Sequence, residues 1–114
     1  MHELGIAAEI WEQASGVMRE NGAARCKKIA VRVGELAGVD VESLRFGLEA
    51  LAKEGPFEAT AIEIEWIERR QRCPRCEEDF AAPGYKTECP KCGELATTNV
   101  AGDELQIAYL EVDE

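Results

Sequence analysis

Cys73-Pro74-Arg75-Cys76 and Cys89-Pro90-Lys91-Cys92, two copies of one motif with twelve residues between them, decide how the middle of this chain must fold. A two-residue gap lets both sulfurs of a pair turn onto one ion about 2.3 Å away, and two such pairs on the arms of a hairpin complete a tetrahedron. Proline after the first cysteine suits the turn, because its φ is already fixed and it requires no hydrogen bond of its own. Zinc is the expected ion, with iron the alternative that the same four-sulfur spacing allows. Thiolates then fill every position and leave none for water or substrate, so the centre is expected to be structural. Paired disulfides would need an oxidising compartment. The chain opens at Met1 without a charged-then-apolar leader and shows no apolar run long enough to span a membrane, so a cytoplasmic location is expected. The fifth cysteine, Cys26, has no partner at ligand spacing and reads as a small, partly buried side chain at the start of a strand.

Length and charge bound the rest. A chain of 114 residues has room for one modest core plus a metal knuckle. In so small a module, metal binding worth about 10 to 16 kcal/mol is itself the folding free energy. Twenty-three acidic residues against thirteen basic ones give a formal charge of -10, which repels a phosphate backbone, so no nucleic-acid partner is expected. Arg69, Arg70, Arg72, Arg75, Lys86 and Lys91 gather in or beside the knuckle and read first as a solvated face, second as a docking surface for an acidic protein.

Before the knuckle, the hydrophobic period changes in an orderly way. Leu4, Ala7, Ala8, Trp11, Ala14 and Met18 share a helical face that Ile6, Ile10 and Val17 widen, and Asn21-Gly22 supplies the stop, predicting a helix over about residues 3–21. Ile29, Val31 and Val33 alternate with Lys28, Ala30 and Arg32 as in a half-buried strand that Gly34 ends. Asp40 can cap a second helix with Leu44, Gly47, Leu48 and Leu51 inward, closing at Gly55-Pro56. Ile62, Ile64 and Trp66 alternate with Glu63, Glu65 and Ile67 in a second strand, which a helical crossover would lay parallel to the first. Gly84, Gly93, Asn99 and Gly102 read as turns within a metal segment, and Leu105, Ile107 and Tyr109 begin a last strand whose buried side the pattern leaves open. The expected fold is α+β: a three-stranded mixed sheet carrying two helices, with a zinc-ribbon-like knuckle inserted before the last strand. Residues 1–69 and 102–114 would form the α/β domain, and 70–101 the metal domain.

The amino terminus, Met1-His2-Glu3, holds the chain's single histidine. With the initiator methionine retained, the Met1 amine, the His2 amide and the His2 imidazole can chelate one ion through adjacent small rings, and the Glu3 amide can add a fourth nitrogen. Such planar nitrogen fields select Ni(II) or Cu(II) over zinc, although a lone histidine beside a terminus is more often a frayed, solvated residue. Met-His-Glu-Leu at the start, Val33-Gly34-Glu35-Leu36, Leu44-Arg45-Phe46, Ile62-Glu63-Ile64-Glu65 and the paired Cys-Pro-x-Cys motifs, in this order, resemble the HypA/HybF family of nickel-insertion accessory proteins for nickel-iron hydrogenase maturation. The resemblance covers nearly the whole chain. It implies a nickel-binding domain of two helices on a three-stranded sheet, a separate zinc domain, and delivery of nickel to the hydrogenase large subunit together with a maturation GTPase. Carried over by position, His2 is the central nickel ligand with the Met1 amine and Glu3 beside it, and Cys73, Cys76, Cys89 and Cys92 are the zinc ligands. Some family members place a further histidine in the zinc domain, which this chain lacks, and some also serve urease. Asp40 stands where a carboxylate has been associated with nickel in relatives, but a helix cap is the preferred reading.

Enzyme readings find no support in the motifs: there is no phosphate-cradling Gly-x-x-x-x-Gly-Lys-Ser/Thr, and the single histidine leaves no general base for a nucleophile away from the terminus. Glu63 and Glu65 read as the solvated side of their strand. The contrasting reading is a zinc-ribbon protein-protein interaction module that handles no second metal.

Overall fold

The computed structural model describes residues 3–53 and 55–113. They form two compact units: Met1–Arg32, Val39–Glu65 and Gln106–Glu114 make the first, Val33–Gly38 and Trp66–Leu105 the second. The second unit is thus wider than the expected segment 70–101, and it takes in residues 33–38 from far upstream.

In the first unit, helix α1 spans Glu3–Glu20 and α2 spans Val41–Leu51. Their strands are β1 (Arg25–Gly34), β2 (Ala61–Ile67) and β6 (Leu105–Asp113), in the sheet order β2-β1-β6. α1 ends as Asn21-Gly22 foretells. Gly22 adopts φ 64°, its N–H donates to the Arg19 carbonyl, and the Ala23 N–H donates to the Met18 carbonyl, the paired bonds of a Schellman stop. The Asp40 carboxylate accepts from the Ser43 N–H at 3.0 Å, which establishes it as the cap of α2. Lys28 pairs with Glu63 and Arg32 with Glu65, so β2 advances with β1 and is parallel to it. Lys27 pairs with Asp113, while the Gly34 N–H donates to the Glu104 carbonyl, so β6 runs the other way. The sheet is mixed, as expected.

The core follows the predicted periods with local departures. Ala7, Ile10, Trp11, Ala14 and Met18 are buried on α1, Leu44, Gly47 and Leu48 on α2, and Ile29, Ala30, Val31 and Val33 on β1. Leu4, Ala8 and Val17 stay exposed because the buried stripe of α1 is narrower than the apolar one, and Leu51 is exposed where α2 ends, well short of Gly55-Pro56. Gly47 lets the helices approach: a Cβ there would lie 3.3 Å from that of Ala7. On β6 the inward residues are Ala108, Leu110 and Val112, and Tyr109, Glu111 and Asp113 face solvent. Trp66 is also exposed, because β2 loses its alternation at its end. Cys26 is buried and its thiol contacts the Lys28 carbonyl, with burial pushing its pKa up. The sequence reading expected a small, partly buried side chain at this strand start, and burial here is nearly complete.

The second unit holds a feature the sequence reading lacked, a second three-stranded antiparallel sheet. Its strands β3 (Arg70–Cys73), β4 (Glu78–Ala81) and β5 (Thr98–Ala101) lie in the order β4-β3-β5. Asn99, expected in a turn, lies inside β5, paired with Gln71. Gly34 and Gly102 have a steric reason to be glycine: a Cβ on Gly34 would fall 2.2 Å from the Gly102 carbonyl oxygen, and one on Gly102 2.5 Å from the Arg69 Cα. This close approach lets the 3-10 turn Glu35–Ala37 join the second unit, with the Leu36 N–H donating to the Gly102 carbonyl at 2.6 Å.

The indole of Trp11 stacks on Phe57 at 4.3 Å between centroids and donates to the Leu48 carbonyl at 2.9 Å. Trp11→Ala should therefore cost about 3–5 kcal/mol in urea unfolding followed by circular dichroism. Trp11→Phe, which keeps the stack and loses one hydrogen bond, should cost only about 1 kcal/mol.

Candidate metal centre

The two cysteine motifs build two matching knuckles. In the first, the Glu77 N–H donates to the Cys73 carbonyl at 2.8 Å and Glu77 turns back at φ 56°. In the second, the Gly93 N–H donates to the Cys89 carbonyl at 2.9 Å and Gly93 turns back at φ 77°. Each proline follows the first cysteine, where its fixed φ and missing N–H are compatible with a turn. β3 delivers Cys73, and the β3–β4 register sets it opposite Glu78, so the first knuckle is itself the hairpin turn.

The sulfurs of Cys73, Cys76, Cys89 and Cys92 all lie within 4.8 Å of one another. Cys73 and Cys92 are 3.6 Å apart and Cys76 and Cys89 3.9 Å. A regular tetrahedron with sulfurs about 2.3 Å from its centre has edges of about 3.8 Å, so the donor set fits one tetrahedral, thiolate-preferring ion. Cys73 and Cys89 are buried, Cys76 is half-buried and Cys92 is exposed. The Cys76 N–H points at the Cys73 sulfur at 3.4 Å. Amide N–H groups of Cys92 and then Lys91 draw the Cys89 thiol down to about 7. Hydrogen bonding with Cys92, followed by desolvation and the Cys89 and Cys73 sulfurs, pushes Cys76 up to about 12. Binding of a metal ion by these thiols would displace protons, so its affinity would fall as pH falls.

The surrounding charges divide into two kinds. Arg72 pairs with Asp79, Lys91 with Glu78 and Arg75 with Glu94, which locally neutralises much of the cluster expected as a solvated face. Arg69 departs from that expectation because it is buried, with only 6% exposure. Its place just before β3, two residues ahead of buried Gln71 and four ahead of Cys73, was the available signal. At the other proposed site, the Glu3 carboxylate accepts from the Asp40 N–H at 3.1 Å, which holds its pKa below the ordinary range. Met1 and His2 lie outside the described residues.

Fold and site together define a small α+β protein whose second unit carries a four-cysteine cluster able to hold a metal ion. Across residues 1–112 the chain matches the family model described as hydrogenase/urease nickel incorporation, metallochaperone, HypA. It is 34% identical over 114 residues to the hydrogenase maturation factor HypA of Chlorobium luteolum, covering 100% of this chain and 97% of that one. To the same factor of Chlorobaculum tepidum it is 34% identical, covering 99% and 100%. The solution structure of the nickel metallochaperone HypA from Helicobacter pylori shares the fold at TM-score 0.69 and 19% identity, covering 98% of this chain and 97% of that one. This chain belongs to the HypA family, whose members are accessory proteins and not enzymes.

The two knuckles differ at one telling position, since Glu77 occupies the left-handed conformation that Gly93 occupies without steric cost. Glu77→Gly should stabilise the metal-loaded protein by up to about 1 kcal/mol, and Gly93→Ala should destabilise it by a similar amount, as thermal unfolding at fixed metal content would record.

Proposed function

We propose that this protein is a nickel metallochaperone of the cytoplasm: it binds Ni(II) at its amino terminus and delivers it to the large subunit of a nickel-iron hydrogenase, working with a maturation GTPase. Family membership across nearly the whole chain carries this reading, joined to the fact that the only imidazole is His2. The relatives named above are hydrogenase maturation factors, which favours hydrogenase as the client. Among the described residues no helix is long and apolar enough to cross a membrane.

The residues divide the two metals by chemistry. Cys73, Cys76, Cys89 and Cys92 would hold zinc, whose four-thiolate coordination supplies folding energy and leaves no open position for exchange with cargo. The Met1 amine, the His2 amide and imidazole, and Glu3 would hold nickel, because deprotonated amides and an amine suit a tetragonal d-metal ion. Glu3 contributes chiefly its backbone nitrogen in this reading, since its carboxylate is engaged by the Asp40 N–H. Asp40 remains the cap of α2.

Titration calorimetry should show about one Ni(II) site with proton release. His2→Ala, or one residue added before Met1, should abolish that site with zinc content unchanged, and Glu3→Gln should weaken it only slightly. Undiminished nickel affinity in both the His2→Ala and the extended protein would overturn the mechanism.

The zinc assignment predicts one tightly held zinc per chain in protein made without added metal. Changing Cys73 and Cys76 together to serine should remove it and collapse amide dispersion across residues 70–101, while the helical circular dichroism of the first unit persists. Zinc retained at one per chain in that double variant would refute the four-thiolate centre.

A further inference from the structure

Three alternate residues entering and along β3, Arg69, Gln71 and Cys73, are buried, whereas Arg70 and Arg72 between them are exposed. Only the last is a candidate ligand. The first two grip the segment that leads to the second cysteine pair. Arg69 Nη1 donates to the carbonyls of Ala82 at 3.1 Å, Gly84 at 3.0 Å and Lys86 at 2.5 Å. Gln71 Nε2 donates to Thr97 Oγ1 at 3.1 Å, and that hydroxyl donates to the Thr87 carbonyl at 2.5 Å. Glu35 closes the arrangement from the 3-10 turn: one carboxylate oxygen accepts from the Arg69 N–H at 3.1 Å, the other from the Gly84 N–H at 2.8 Å. These amides, Arg69 first and then Gly84, hold the Glu35 carboxyl below the usual carboxylate range.

Backbone from 82 to 87 is therefore fixed at the carbonyls of Ala82, Gly84, Lys86 and Thr87 by side chains that are not among the cysteines. Its next turn carries Cys89, whose spacing from Cys73 and Cys76 sets the shape of the centre. A buried guanidinium is a costly way to fill space, but the two N–H groups of Nη1, shared among three carbonyls, fix position where an apolar side chain would not. We propose that Arg69 and Glu35 are positioning residues of the four-cysteine centre: together they hold the Cys89–Cys92 arm in register with the Cys73–Cys76 arm and thereby govern how firmly and in what geometry the ion is kept. This rests on the reading that the four cysteines bind a metal ion. Partners outside the ligand shell commonly change metal affinity 10–100-fold, about the size of effect this arrangement should show.

The test uses the full chain with Co(II) as the probe, whose thiolate charge-transfer and d–d absorption report coordination geometry, and excess EDTA to follow release. Glu35→Gln, which preserves shape and burial but turns one acceptor into a donor, should speed cobalt release about tenfold and shift the d–d bands. Arg69→Met should do so more strongly, and Arg69→Lys should recover part of the effect because an ammonium still offers three donors. Circular dichroism of the first unit should be unchanged in all three. Should Arg69→Met fail to fold, Glu35→Gln and Arg69→Lys decide the matter alone. Release rates and d–d bands equal to wild type in Glu35→Gln and Arg69→Lys would overturn the positioning role. Absence of thiolate-to-cobalt absorption in the wild-type protein would instead overturn the metal-centre reading beneath it.

Discussion

Convergence of four sulfurs within 4.8 Å is the constraint on which the second unit depends. Apart from cysteine, the apolar side chains buried in that unit are Val33 and Ala82, too little to offset the ordering of some forty residues. A module this poor in apolar core needs a staple, and a tetrathiolate centre is one of the few that nature uses at this size. The remaining interior is polar: Arg69 and Gln71 satisfy the carbonyls of the turn and the Thr97 hydroxyl, leaving Arg69 Nε and Gln71 Oε1 without partners among the described residues. The four-cysteine cluster and the buried arginine thus address one problem from two ends.

The first unit is stabilised in the ordinary way. Two helices close on Ala7 and Gly47, Trp11 bridges α2 and Phe57, and a mixed sheet buries both faces of its central strand near Ile29–Val31. Arg45 ties α2 to the sheet by donating to the Ile62 carbonyl at 2.9 Å. The acidic residues of β2 find cations on β1, so the outer sheet face is ion-paired and adds little to stability. At its start, α1 begins at Glu3, whose carboxylate accepts from the Asp40 N–H.

In the function proposed above, the resident and the cargo metal would make opposite demands on the chain. A resident ion should be enclosed by identical soft ligands and exchange slowly, whereas cargo must enter and leave. Two of the cysteines are buried and their backbone surroundings are pinned, which suits retention. In the same proposal, nitrogen donors at the amino terminus would suit release, since protonation of the amine and imidazole, or engagement by a client, would undo such a chelate.

The four cysteines, the stop of α1 at Asn21-Gly22, the cap at Asp40 and the parallel pairing of β1 and β2 were legible from sequence because each is local or periodic: a two-residue spacing, a left-handed glycine, a side chain bonding three residues ahead, an alternation of apolar positions. The HypA family itself was legible for the same reason, as its motifs are contiguous. Other features required the fold. Sheet β4-β3-β5 is made of four-residue strands too short for alternation to register, and Asn99 favours turns by propensity but is paired in β5. The inward face of β6 is chosen by its neighbours, since either face offered apolar residues. Arg69 reads in sequence as one cation among six, and only three carbonyls converging from residues distant in the chain, with Glu35 beside them, make it interior. Sequence by itself determined which atoms could bind metal and where helices stop, because those depend on neighbours a few positions away; tertiary structure decided which charges are buried and which strand faces are hidden, because those depend on residues brought together only when the chain closes.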